Sequence, residues 1–267
     1  MKDLYLLKLG GSIITDVSKA HVAREHVIRR IFGEIRRSLA SRDFTLIIGH
    51  GSGSFAHIPA KKYRVNEGLR YSYSMKGAAV THQTAKELNL KVNKIAIESG
   101  LNALPFSPLN FALGDRGRIK TGDISQISEA LKRGFIPITH GDVVIDLDRG
   151  VSIASTEEIF RYLSGRLRPE KILLATDVDG VFTREPSCKD AELIRFVGSR
   201  NIGNVLSAAG SSAKVDVTGG MKTKITLLYE MCRQSSCEGI IFNGNVKGNI
   251  MKALSGSGPE NATRVKV

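Results

Sequence analysis

Short apolar runs alternate along this chain with longer stretches in which apolar residues return every three or four positions. Leu4–Leu9 is apolar apart from Lys8 and reads as a buried strand. Over 21–41, Ile28, Ile31, Phe32, Ile35 and Leu39 fall at i, i+3, i+4, i+7 and i+11, the spacing of one helix face. Residues 46–48 centre a second strand. Residues 76–98 predict a helix with Leu88, Val92, Ile95 and Ala96 on one side and Gly100 as its stop. A strand follows at 135–139, then a hairpin of 143–146 and 151–154 about Leu147-Asp148-Arg149-Gly150. Ser155 with Glu158 three residues on predicts a capping box for the next helix. Lys171–Thr176 and 239–242 read as strands, 220–234 and 246–254 as helices, and 263–267 as a closing strand. The alternation predicts an α/β fold, a mostly parallel sheet with helices on both faces.

There is no internal repeat and no low-complexity linker. The Gly/Ser-rich piece 207–212 reads as a mobile loop. A division near residue 165 therefore separates two lobes, 1–165 and 166–267, of a single domain over 1–267. The chain has 267 residues, 42% of them hydrophobic, enough for a sizeable core. No apolar run approaches the roughly 20 residues of a membrane span, and Met1-Lys2-Asp3 leads straight into a strand, so neither a membrane partner nor a signal peptide is expected. Three cysteines, Cys188, Cys232 and Cys237, are odd in number and lack metal-ligand spacing, which points to a reduced cytoplasm.

Charge changes the picture little. The net charge of +13, from 39 Lys+Arg against 26 Asp+Glu, raises the question of a nucleic-acid partner. The charge is dispersed, however. Its densest group, Arg24, Arg29, Arg30, Arg36, Arg37 and Arg42, lies on or beside one predicted helix and reads as a solvated face that also steers anionic substrates. Neither a zinc-knuckle spacing nor an aromatic-rich ribonucleoprotein motif accompanies it.

The chemistry lies in three glycine clusters. The strand at 46–48 empties into Gly49, Gly51 and Gly53, where backbone N–H groups stand clear of any Cβ and can cradle phosphate. The first strand ends in Lys8-Leu9-Gly10-Gly11-Ser12. A lysine at an apolar strand end is costly unless its ammonium meets an anion. The third cluster is Asp216-Val217-Thr218-Gly219-Gly220-Met221-Lys222-Thr223-Lys224. Its lysines open a helix, against the macrodipole, and call for an anion there. Three such clusters imply one ligand with several phosphates or two phosphorylated ligands meeting. Gly51-Ser52-Gly53-Ser54-Phe55-Ala56 also fits the loose dinucleotide fingerprint. No strand ending in an acidic residue follows it, so a nicotinamide enzyme is disfavoured, and there is no P-loop. His57, just beyond the glycines, suits donation to a phosphate oxygen; His50 reads as structural, and His82 and His140 carry no clear signal. Asp177 and Asp179 follow a strand, where ligands bind: they contact a nucleotide, hold Mg²⁺ through water, or shape a turn.

The set Lys8-Leu9-Gly10-Gly11-Ser12, Gly51-Ser52-Gly53-Ser54, Ala175-Thr176-Asp177-Val178-Asp179-Gly180-Val181 and Asp216-Val217-Thr218-Gly219-Gly220-Met221 with Lys224 resembles the amino acid kinase superfamily. Gly53-Ser54-Phe55-Ala56-His57 resembles the G-S-F-G-H element of isopentenyl phosphate kinases, and Phe242-Asn243-Gly244-Asn245 is similar to that subfamily too. The resemblance implies an open αβα sandwich, a homodimer, an acceptor lobe at 1–165 and an ATP lobe at 166–267. It implies ATP-dependent phosphorylation of isopentenyl phosphate with Mg²⁺. Lys8 and Lys224 would meet the transferring phosphoryl group, Ser52, His57 and Thr156 the acceptor, and Gly10, Gly11, Ser12, Gly53, Asp177, Gly220 and Lys224 the nucleotide. A fosfomycin or other phosphonate kinase is the alternative of the same class; a non-catalytic nucleotide sensor and a nucleic-acid binder are those of other classes. Two departures stand out. Relatives place a basic residue after the T-D pair where this chain has Val17, with Lys19 the nearest lysine. Relatives also read S-G-D-D where it has Ser155-Thr156-Glu157-Glu158, so Thr156 cannot give the bare backbone of a glycine and has a hydroxyl to offer in place of that contact.

Overall fold

The computed structural model describes residues 2–210 and 220–267. From the N-terminus, β1 (Leu4–Leu9) gives way at Gly10 to a single turn, α1 (Gly11–Ile14), and then α2 (Glu25–Ser41). β2 (Thr45–His50) leads into α3 (Gly53–Lys62) and α4 (Ser74–Glu98). Next come β3 (Ala103–Phe106), β4 (Ala112–Asp115), β5 (Arg118–Gly122), α5 (Ser125–Lys132), β6 (Ile136–His140), the β7 (Asp142–Asp146)–β8 (Gly150–Ala154) hairpin and α6 (Thr156–Leu167). The remainder is β9 (Lys171–Thr176), β10 (Val181–Phe182), β11 (Leu193–Ile194), β12 (Phe196–Val197), α7 (Ile202–Gly210), α8 (Gly220–Ser235), β13 (Glu238–Asn243), α9 (Asn249–Ser255) and β14 (Ala262–Val265).

An eight-stranded sheet runs β12-β14-β13-β9-β1-β2-β6-β3 and is parallel except where β13 meets β14. A four-stranded sheet, β5-β4-β7-β8, stands beside it. β1 lies between β2 and β9, and its pleat explains both cores. Tyr5, Leu7 and Leu9 face a layer formed with Ile28, Ile31 and Phe32 of α2, while Leu6 faces the layer of α6 and α8. Burying one such leucine or isoleucine contributes about 1.5–3 kcal/mol. Because side chains alternate along a strand, Lys8 shares the face of Leu6 and stands under the beginnings of α6 and α8. That register places the cation at the site.

Three sequence expectations change. The first long helix starts at Glu25 rather than 21, because Thr15 bridges Ala23 and draws the preceding segment into a loop. Ser155 accepts the Glu158 N–H at 3.1 Å, but the box is half made: Glu158 turns its carboxylate to the Ile119 N–H and Arg161 instead of back to Ser155. The segment read as a mobile loop at 207–212 is helical through Gly210, and 211–212 fall outside the described residues.

Candidate active site

Two glycine turns meet at the carboxyl ends of β1 and β2. A Cβ on Gly11 would lie 2.6 Å from the Gly53 nitrogen, and one on Gly51 would lie 2.8 Å from the Gly11 nitrogen. Backbone packs directly on backbone here, which no larger residue permits. Gly53 has φ +48°, and its missing Cβ leaves room for Thr15, whose hydroxyl accepts the Ser54 N–H at 3.2 Å. The turn read from sequence is therefore short. α3 starts at Gly53, and His57, just beyond the glycines, rides on its second turn.

These turns floor a cavity of about 610 Å³, within the range of small-molecule sites. Lys8, Gly10, Gly11, Ser12, Ser52, Gly53, His57, Thr156, Asp177, Gly220 and Lys224 all line it, whereas Asp179 and Lys222 do not. Asp16, Val17 and Lys19 divide: Val17 borders the cavity, whereas Lys19 does not. Asp216 through Gly219 of the third cluster lie outside the described residues.

Several of these side chains already have partners. The Ser52 hydroxyl donates to the Gly141 carbonyl. The Thr156 hydroxyl donates to the His50 carbonyl at 2.7 Å, which ties the start of α6 to β2. What Ser52 and Thr156 retain for a ligand is oxygen lone pairs and the orphan N–H groups of helix starts. The Lys224 ammonium reaches the Gly220 carbonyl at 3.5 Å. His50 is fully buried between the Gly51 carbonyl and Asn89, and burial, helped by neighbouring His140, lowers it to about 3, so it is neutral and structural as expected.

Sequence reasoning missed Glu157. Its side chain is 4% exposed, and the carboxylate pairs with the ammonium of Lys8, whose side chain is 9% exposed. Burial pushes Glu157 upward, but the charges of Lys8 and Lys224 outweigh it and hold the carboxyl below its ordinary range. Placement in the first turn of α6 adds the helix dipole to that effect. An acidic residue two positions after a capping serine was the available signal. Ser54, whose hydroxyl is buried without a hydrogen-bond partner among the described residues, and Asp142 also border the cavity and were not singled out.

One cavity thus joins two glycine turns, two lysines, a histidine and a carboxylate paired with one of the lysines. Such a site can bind two phosphorylated groups end to end and neutralise charge between them. Among the described residues no cluster of three His, Cys, Asp or Glu is placed to hold a metal. The donor set, with Asp177 as a carboxylate on the cavity wall, suits a magnesium carried by nucleotide phosphates and water rather than one caged by protein.

Residues 3–243 match the model of the amino acid kinase family. The chain is 37% identical over 262 residues to isopentenyl phosphate kinase of Methanothermobacter thermautotrophicus, covering 95% of this chain and 96% of that one. It is 36% identical to the enzyme of the same name from Methanocaldococcus jannaschii over 264 residues, 95% of each chain. Among solved structures, one of isopentenyl phosphate kinase superposes with a TM-score of 0.84 at 34% identity, covering 98% of this chain and all of that one. The chain belongs to the amino acid kinase family, on its isopentenyl phosphate kinase branch.

Proposed function

We propose that this protein transfers the γ-phosphoryl group of ATP to isopentenyl phosphate, giving isopentenyl diphosphate and ADP. The observation that carries the reading is that Lys8, from the end of β1, and Lys224, from the first turns of α8, line one cavity with the two glycine turns and His57. The relatives named above support the choice of acceptor, since their names state it.

The acceptor occupies the lobe formed by residues 1–165, its phosphate beside Ser52 and His57 and its apolar tail toward Ile58 and Ile153. The nucleotide occupies the lobe of 166–267, beside Asp177 and Gly220. An oxygen of the acceptor phosphate attacks the γ-phosphorus, the bond to the β-phosphate oxygen breaks, and ADP leaves. The attacking oxygen is already anionic, so the reaction needs no general base. The protein's part is positioning and charge neutralisation. Lys8 and Lys224 face the transferring group, Gly11 and Gly53 offer backbone N–H groups, and His57 donates to the acceptor phosphate. Glu157 keeps the Lys8 ammonium aimed into the cavity. Asp177 would hold, through water, a magnesium brought with ATP, which would supply further charge neutralisation. The working enzyme is a cytoplasmic homodimer on this reading.

The test is ADP release coupled to a colorimetric readout, run with isopentenyl phosphate, dimethylallyl phosphate, fosfomycin, acetylglutamate and UMP. Isopentenyl phosphate is expected to give the highest kcat/KM. Preference for fosfomycin would move the chain to the phosphonate kinases, and no turnover of any acceptor with ATP still bound would favour the nucleotide sensor.

A further inference from the structure

Asp142 borders the same cavity as Ser52 and His57, yet the transfer chemistry gives it no part. It is 2% exposed, and a buried carboxylate must be fully partnered. Oδ1 accepts the Val143 N–H at 2.7 Å. Oδ2 meets Nδ1 of His82 at 2.8 Å and accepts from the Ser107 hydroxyl at 3.1 Å, and Nε2 of His140 lies 3.2 Å away. A ring nitrogen hydrogen-bonded to a carboxylate carries a proton, so His82 is assigned as a donor here, whereas neither ring nitrogen of His140 makes a hydrogen bond among the described residues.

The two histidines differ in access. The His140 side chain is 1% exposed and stacks on His50 at 5.5 Å. The His82 side chain is 24% exposed and can exchange its second proton with solvent. The hydrogen bond to Asp142 draws His82 upward against burial, and Lys86 on the same helix opposes it weakly. The titratable groups bearing on the pair are therefore Lys86 of α4, Asp142 of β7, His140 of β6 and, behind it, His50 of β2; His57 of α3 shares the cavity.

We infer that His82 sets the charge of the acceptor end of the cavity. Protonated, it cancels the Asp142 carboxylate, and an anionic acceptor is seated. Neutral, it leaves one uncompensated negative charge in the wall, and the acceptor is repelled. His82 touches Asp142 and not the reacting atoms, so it is a positioning residue. The inference rests on the placement of the acceptor phosphate in the 1–165 lobe.

The experiment follows acceptor kinetics from pH 6 to 9 in wild type, His82→Gln and Asp142→Asn, and follows the His82 resonances by NMR with and without isopentenyl phosphate. His82→Gln is expected to raise the acceptor KM about 5-fold at pH 6.5, and Asp142→Asn to lower it about 5-fold at pH 8.5, the size of a unit charge acting over roughly 10–15 Å at an effective dielectric of about 20–30. kcat and the KM for ATP stay near wild type, and acceptor raises the His82 titration midpoint. A purely structural cluster would raise KM in both variants at every pH; that result, or a midpoint unmoved by acceptor, overturns the inference. If Asp142→Asn does not fold, His82→Gln and the wild-type titration decide. If wild type ignores isopentenyl phosphate, the substrate reading fails by itself. Inorganic phosphate then replaces the acceptor in the titration, where a raised midpoint supports the charge relay and an unchanged one ends it.

Discussion

Lys8 and Glu157, 149 positions apart in the chain, form an ion pair more than nine-tenths buried at the floor of the cavity. A buried pair of this kind is weak evidence for stability, since removing two charges from water offsets most of their attraction. Its value here lies in orientation: the carboxylate keeps an ammonium inside a cavity that receives phosphate.

Removing that carboxylate should cost the free protein more than the nucleotide-bound one. Glu157→Gln removes the carboxylate that pairs with the buried Lys8 ammonium, a loss of about 3–5 kcal/mol for buried pairs broken on one side. ATP phosphates restore an anion to Lys8. Thermal melts with and without a non-hydrolysable ATP analogue should show the Tm deficit of the variant shrinking when the analogue is bound. An equal deficit in both states would deny the link between Glu157 and the nucleotide phosphates.

Lys8→Met and Lys224→Met should each lower kcat about 10²-fold or more, roughly 2.7 kcal/mol or more of lost charge stabilisation. Steady-state turnover at saturating ATP and acceptor measures it. Near-normal kcat in both variants would remove the two lysines from the transfer step.

His57→Ala should lower kcat/KM for isopentenyl phosphate by about 2–4 kcal/mol, the range for a charge-assisted hydrogen bond left unmade. His57→Gln and His57→Asn should keep part of the activity, because an amide still donates without being a base. ATP affinity, measured separately by calorimetry, should hardly change. Wild-type kcat/KM in His57→Ala would leave the acceptor unidentified.

Asp146 ties the hairpin and the β4–β5 turn together. Burial raises its pKa, but N–H donors from Gly117, Arg149 and Asp148, with Ser152, overcome that and lower it from 3.8 to about 2. A depressed carboxylate stabilises the fold above its unfolded pKa and loses that contribution as pH falls through the folded one. Asp146→Asn should therefore cost about 2 kcal/mol at pH 7, with the gap closing between about pH 4 and pH 2. Urea melts across that range test the sign: a gap that widens toward acid would contradict it.

Much of the architecture was legible in the chain. The apolar run at Leu4–Leu9, the helix face of Ile28, Ile31, Phe32 and Ile35, and the hairpin about Leu147-Asp148-Arg149-Gly150 appear where periodicity placed them, because each pattern has one way to bury itself. β3, β4 and β5 were missed: they are four or five residues long and half exposed, so they carry no strong alternation. The Gly53 start of α3 was read as loop because glycines weaken any helix signal, and only the close approach of Gly11 shows why glycine is required there.

The sequence by itself determined the residue types of the site: two lysines where lysines are costly, three glycine clusters, and a histidine beside one of them. Those are local facts, set by neighbours a few positions away. Tertiary structure alone decided which anion Lys8 holds, that Thr156 and Ser52 already donate to backbone carbonyls, and that His82, His140 and Ser107 converge on Asp142. Apart from the His140–Asp142 approach, each of these joins residues at least 30 positions apart, and the reason is physical. A buried charge takes whichever partner the packing of strands and helix starts brings within about 3 Å, and no pattern along the chain encodes that distance.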